Sequence, residues 1–212
     1  MTEEEAQDWL RNNLHVSRET MERLAAFIAY LRHEAKSQNL IAASTLERIW
    51  VRHIVDSAQL LLLLGEHRWK NWLDLGSGAG FPGLVIGILT KKPVTLVESR
   101  ARRIDYLQRA VQMLDLEKNI NVIGRPLEKV KSAEYSVISA RAFAPLPRLL
   151  NGAARFSTEN TLWLLPKGRN AAMELAEAQQ DWQIMFHVEQ SITDSEAGIL
   201  VGTLHGTVRE LS

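Results

Sequence analysis

The chain has 212 residues, 46% of them hydrophobic and 24% charged, with 25 basic side chains balancing 25 acidic ones. That length supports one sizeable core with at most a small attached unit. The absence of cysteine excludes disulfides, four-cysteine zinc sites, iron–sulfur clusters and any cysteine nucleophile.

The N-terminal part, to about residue 70, reads as helical. Thr2-x-x-Glu5 is a capping-box pattern. Its acidic character is not that of a signal peptide, and no later run approaches a transmembrane length. A cytoplasmic protein without membrane contact is therefore expected. Ser17 is placed to cap a helix carrying Met21, Leu24, Ala25, Ile28 and Leu31 on one face. After a loop at 37–44, Thr45 is placed to cap another. Its apolar side would hold Leu46, Ile49, Trp50, His53, Ile54, Ser57, Leu60, Leu61 and Leu64. The leucine run 60–64 and the six tryptophans read as core.

The remainder alternates. Strands are expected at 72–76, 94–98, 120–124, 135–140, 161–165, 183–190 and 198–206. Helices are expected at 83–90, 100–114, 146–155 and 170–181. Such alternation predicts an α/β fold with a mostly parallel sheet and helices on both faces. The short turn region 194–198 makes the last two strands an antiparallel hairpin. The expected domains are thus a helical region, 1–70, packed on a second unit, 71–212. A seven-stranded sheet ending in such a hairpin is the arrangement of Rossmann-like, class I methyltransferases.

The stretch from Trp72 to Gly83 holds four glycines in eight residues, Gly76, Gly78, Gly80 and Gly83, between a strand and an apolar helix. Fifteen residues after Gly83 the next strand ends on an acid, Glu98. This layout is that of a nucleotide-like cofactor site, with Glu98 positioned for ribose hydroxyls. A dinucleotide turn needs a third glycine where Phe81 stands. Asp74, ahead of the glycines, would repel a pyrophosphate but suits an ammonium group. Both features favour S-adenosylmethionine over NAD.

Charge is unevenly spread. Residues 91–131 hold 10 basic and 5 acidic side chains, residues 132–170 hold 5 and 2, and residues 171–212 hold 1 and 7. The middle is therefore +8 and the tail −6. A basic segment beside a cofactor site suits a polyanionic substrate. A solvated helix face with locally paired cations is the competing assignment.

The chain resembles the RsmG (GidB) family of small-subunit ribosomal RNA guanine-N7 methyltransferases. The resemblance rests on Asn39-Leu40, the segment from Arg52 to Ser57, the segment from Leu73 to Gly83, Val97-Glu98-Ser99, the segment from Ser139 to Ala144, and Lys167-Gly168. It implies that Gly76, Phe81, Leu127, Glu128 and Arg141 contact the cofactor, beside Asp74, Gly78 and Glu98. It implies 16S rRNA or the small ribosomal subunit as partner, with a monomeric enzyme expected. Two departures stand out. Pro126 lengthens the spacing between Arg125 and the following acid, and Pro166 precedes Lys167. A proline there is expected to end the fifth strand early.

Other methylation chemistries are disfavoured by the residues themselves. No Asn/Asp-Pro-Pro-aromatic loop for exocyclic amines follows the fourth strand, and no cysteine is available for cytosine C5. Guanine N7 loses no proton before attack, so neither a general base nor a metal is expected. Arg141 and Lys167 suit guanine O6 or a nearby phosphate, and Phe143 suits stacking on a base. Their competing roles are a salt bridge, a surface lysine and core packing. His53, Asp56 and Ser57 share one helix, whereas triad members must converge on a substrate. His53 and Asp56 read instead as groups that hydrogen-bond buried backbone and dock the helical part onto the glycine turn; the resemblance implies that this face, with Asn39, borders the substrate cleft. A non-catalytic cofactor-binding module, a methyltransferase for another RNA and an NAD-dependent dehydrogenase are the alternative functions.

Overall fold

In the computed structural model of the chain, residues 1–207 are described. Residues 208–212, the end of the range expected for the second unit, lie outside the described residues. Helix α1 (Glu3–Leu14) opens with the expected capping box: Glu5 N donates to Thr2 Oγ1 at 3.1 Å, and Thr2 N donates to Glu5 Oε2 at 2.7 Å. Helix α2 (Arg18–Glu34) is capped by Ser17. It buries Met21, Leu24, Phe27, Ile28 and Leu31, whereas Ala25, expected on that face, is exposed.

The third helix is not continuous. Residues Ala43–Arg48 form a 3-10 turn, Trp50–Val55 a π-helical turn, Asp56–Ala58 the short α3, and Gln59–Leu64 a second 3-10 segment. Thr45 does not cap it; Ala42 holds the cap position with no side-chain bond. Two constraints favour the wide turn. Its first amides, Trp50 N and Val51 N, both donate to the Glu3 carboxylate of α1 at 3.1 Å. Val51, His53, Ile54 and Val55 are all buried, a denser set than one side of a regular α-helix presents. Leu62, expected in the core, is 47% exposed, and Trp9 and Trp50 are only partly buried.

The strands are β1 (Trp72–Leu75), β2 (Val94–Glu98), β3 (Ile120–Gly124), β4 (Val137–Ala140), β5 (Leu162–Pro166), β6 (Trp182–Gln190) and β7 (Gly198–Thr207). Helices α4 (Gly83–Thr90), α5 (Ala101–Met113), α6 (Leu146–Ala153) and α7 (Ala171–Ala178) lie between them. Their sheet order is β3-β2-β1-β4-β5-β7-β6, parallel from β3 to β5 and antiparallel at β7 and β6. The order reverses at β1, between β2 and β4. Ligands bind at the carboxyl ends of strands at such a reversal.

Pro166 does not end β5 early; it pairs with Ile199 as the last strand residue, and Lys167 N extends the ladder to Gly198 O at 2.8 Å. Alternation turns the N–H position of Pro166 away from β7, towards β4. There the β4 ladder has already stopped at Ser139–Leu164, so no bond is lost.

Side chains alternate across the sheet and feed two cores. One joins Trp72, Val94 and Leu96 to α4, α5 and the N-terminal helices, including Leu10, Leu24 and Phe27. The other joins Leu73, Leu75, Ile138 and Trp163 to α6 and α7. No described helix is long and apolar enough to cross a membrane.

Candidate active site

The glycine turn sits at the carboxyl end of β1. Gly76 and Gly78 have φ of 69° and 58°, the left-handed region that favours glycine. Gly76 N and Ser77 N donate to Val97 O at 2.8 and 3.1 Å, tying the turn to the end of β2. Beside it Glu98, 5% exposed, accepts from Gly78 N at 3.0 Å and from Ser99 N and Arg100 N at 2.7 and 2.9 Å.

Asp74 lies deeper than its sequence position suggests, fully buried on β1. Register places it opposite Ser139 of β4, so both side chains share one face. Asp74 Oδ1 accepts from Ser139 Oγ at 2.7 Å, and Oδ2 accepts from Gly83 N at 3.1 Å. Ser139 Oγ in turn accepts from Trp72 Nε1 at 2.8 Å. A carboxylate at an otherwise uncapped helix start complements its free amides; Asp74 does this for α4, whose cap residue Pro82 makes no side-chain bond. Burial pushes the Asp74 carboxyl up, while the Ser139 hydroxyl and the Gly83 amide pull it down.

Arg141, just past β4, forms the centre of a second cluster. Its Nη1 pairs with Asp56 Oδ2 at 3.0 Å and also donates to Arg52 O at 3.3 Å. Its Nη2 lies 2.9 Å from His53 Nδ1. An arginine only donates, so Nδ1 accepts. On the far side His53 Nε2 meets Thr45 Oγ1 at 2.9 Å, and that hydroxyl already donates to Ala42 O at 2.8 Å. Nε2 therefore carries the hydrogen and the imidazole is neutral. Burial first, then the positive charges of Arg141 and Arg52, lower its pKa to about 3. The His53 ring stacks on Phe81 at 4.7 Å, and the Arg141 guanidinium carbon lies 5.1 Å from the same ring. The helical part meets the glycine turn through the His53–Phe81 stack, with Arg141 beside His53 over the same ring. Among the described residues, the His53 ring and the Asp56 carboxylate bond to side chains rather than to buried backbone.

Arg141 and Lys167 both line a cavity of about 620 Å³ that also includes His53, Asp56, Phe143, Glu174 and Asp194. Lys167 is not a surface lysine: its side chain is 10% exposed and pairs with Glu174 at 2.7 Å. It also donates to Ala144 O at 3.1 Å. Phe143 is not in the core but 41% exposed. Gly76, Gly78, Glu98, Leu127 and Glu128 do not line this cavity. Leu127 and Glu128 lie in a 3-10 turn after β3, Leu127 buried and Glu128 exposed.

Several contributors were not singled out as site residues in the sequence. Arg52 pairs with Asp194 at 2.8 Å, which holds the Asp194 carboxyl below its ordinary value. Thr193 Oγ1 donates to Asp56 Oδ1 at 2.7 Å, and Ile192 N donates to Gln59 Oε1 at 2.9 Å. The β6–β7 turn is thereby fastened to the helical region. The acidic balance of residues 171–212 and the basic middle were visible in the sequence, but not which members would meet.

A family model described as "rRNA small subunit methyltransferase G" (GidB) matches residues 20–200. The chain is 55% identical to the ribosomal RNA small subunit methyltransferase G of Novosphingobium aromaticivorans, covering 96% of this chain and 89% of that protein. It is 54% identical to the one from Sphingopyxis alaskensis, covering 95% and 86%. Among solved structures it resembles a putative O-methyltransferase from Klebsiella pneumoniae with TM-score 0.60 and 13% identity, covering 92% and 94%. An O-methyltransferase from Bacillus cereus in complex with SAH gives TM-score 0.60 and 12% identity, covering 92% and 96%. These distant structures share the class I methyltransferase fold. With the family model spanning most of the chain and relatives above half identity, the chain belongs to the GidB family of rRNA small subunit methyltransferases.

Proposed function

We propose that this protein transfers a methyl group from S-adenosylmethionine to N7 of a guanine in 16S ribosomal RNA. The observation that carries the reading is a single juxtaposition. A glycine turn flanked by two carboxylates adjoins, through Phe81 and Phe143, a cavity that presents Arg141 and Lys167.

The turn suits the cofactor. Gly78 keeps the backbone open to a ligand, and at Gly76 the missing side chain leaves a place that the Phe143 ring fills. Each carboxylate oxygen has two lone pairs, so Glu98 Oε2, with one backbone bond, retains capacity for a ribose hydroxyl. Phe81, Leu127 and Glu128 are assigned to the nucleoside end, and Arg141 to the edge facing the cavity. Asp74 acts by fixing the turn and the start of α4. When bound, S-adenosylmethionine supplies an electrophilic methyl group carried on a sulfonium.

The chain's own residues orient the acceptor. Arg141 is held flat by His53, Asp56 and the Arg52 carbonyl, ready to donate to guanine O6. Lys167 lines the cavity and has three donors, two of them engaged internally, which leaves the third for the acceptor. Guanine N7 would take the methyl carbon with its own lone pair as the carbon–sulfur bond breaks and S-adenosylhomocysteine leaves; no proton would be removed, so alignment supplies the acceleration. The same reading assigns residues 1–70 to a helical region that builds the cavity wall and 71–212 to the methyltransferase unit. It also makes the enzyme a cytoplasmic monomer acting on rRNA or the assembling small subunit.

Calorimetry with S-adenosylhomocysteine and with NADH tests the cofactor assignment. The first binds and the second does not; the reverse outcome refutes it.

A further inference from the structure

The segment from Arg141 to Ala144 is pinned at both ends. Arg141 is held by Asp56, His53 and the Arg52 carbonyl. The Ala144 carbonyl is held by Lys167, whose partner Glu174 also accepts from Leu146 N at 2.8 Å. Between the pins, Ala142 has φ of 52°, a left-handed conformation that strains a residue with a Cβ. That conformation aims Phe143 at the glycine turn. The ring packs so closely on Gly76 that a Cβ added there would run into Phe143 Cδ2, with Cε2 and Cγ both 3.2 Å away. Phe143 also lines the large cavity, which Gly76 does not. The ring therefore stands between the glycine turn and the cavity, although 41% of its surface is open to solvent.

Resting on the cofactor reading above, we propose that Phe143 is a two-position residue that orders the reaction. In one position its ring covers Gly76. With the methionyl end of the cofactor over Gly76, the ring gives up that place and turns into the cavity, where it stacks on the target base. The strain at Ala142 makes the first position easy to leave, and the two pins confine the movement to residues 142 and 143. Arg141 and Lys167 thus serve the site a second time, as the fixed ends of this segment. Cofactor loading then precedes productive seating of the base, because only the displaced ring completes the base-binding face. The three heavy atoms nearest to a Cβ placed on Gly76 all belong to the Phe143 ring.

The test compares the full-length protein with Phe143→Ala and Phe143→Tyr, using S-adenosylhomocysteine calorimetry and methyl transfer to small-subunit rRNA. Wild-type protein binds S-adenosylhomocysteine; failure there refutes the cofactor reading itself, not this inference. Phe143→Ala, which vacates the space over Gly76, binds it at least threefold more tightly. The same variant loses at least tenfold in kcat at saturating cofactor, and its KM for RNA rises. Phe143→Tyr restores both properties. A merely structural role moves cofactor affinity and turnover down together. Unchanged or weaker S-adenosylhomocysteine binding by Phe143→Ala overturns the proposal, and so does unchanged transfer.

Discussion

His53 shows how a titratable side chain becomes a fixed positioning element. Its neutral form is imposed by what surrounds it: Arg141 donates to one nitrogen, and Thr45 accepts from the other. The unfolded chain titrates this imidazole at its ordinary 6.5, the folded protein at about 3. Between those values the unfolded state binds the extra proton, so stability falls as pH falls. From about pH 7 to about pH 5 this group accounts for a loss of about 2 kcal/mol. Urea denaturation at both pH values checks it: His53→Asn, which keeps an acceptor near Nδ1, shows a pH loss smaller by that amount. Ser139 offers a second case. Ser139→Ala leaves Trp72 Nε1 and one Asp74 oxygen without partners in a fully buried setting. It lowers unfolding free energy by about 2 kcal/mol, read in the same denaturation. Of the residues that build the candidate site, Asp74, Phe81 and Glu98 stand out in the sequence by spacing and Arg141 through the family resemblance. Their partners do not: Asp74 meets Ser139 only through strand register, and Arg141 meets Asp56 across 85 positions.

Elements built on local periodicity were the most legible. The apolar run 83–90 and the strands at 94–98 and 120–124 stand where the pattern puts them. Helix 43–64 was not legible as a broken helix, because the causes of the break are distant. Glu3, on α1, accepts from the first two amides of the π-turn, and His53 is drawn to Phe81 and Arg141. Glu3→Ala removes that cap and costs about 1 kcal/mol. Denaturant unfolding measures it, and Glu4→Ala, whose side chain caps nothing among the described residues, serves as the control. Wide turns of this kind recur at functional sites; here the turn presents His53 to the cavity. Pro166 gives the opposite lesson. A rule about proline in strands suggested an early end, but the neighbouring strand had already stopped, so the rule's physical reason was absent.

At the scale of the molecule, the N-terminal helices and the sheet share one apolar core. Leu10, Leu24 and Phe27 belong to the same cluster as Trp72, Val94 and Leu96. Two regions joined in this way unfold together, so calorimetric melting shows one transition; a separate early transition for residues 1–70 contradicts this. Phe27, fully buried and 5.6 Å from the Phe81 ring, links that core to the site. Phe27→Ala costs about 3–4 kcal/mol, measured by urea denaturation. Transfer of a methyl group to guanine N7 in small-subunit rRNA is tested most directly by labelled transfer followed by nucleoside analysis. With methyl-labelled S-adenosylmethionine, the label is recovered as N7-methylguanosine from the small-subunit rRNA, and Arg141→Ala reduces it at least a hundredfold. Label recovered in another nucleoside, or no label in rRNA from a protein that binds S-adenosylhomocysteine, contradicts the claim.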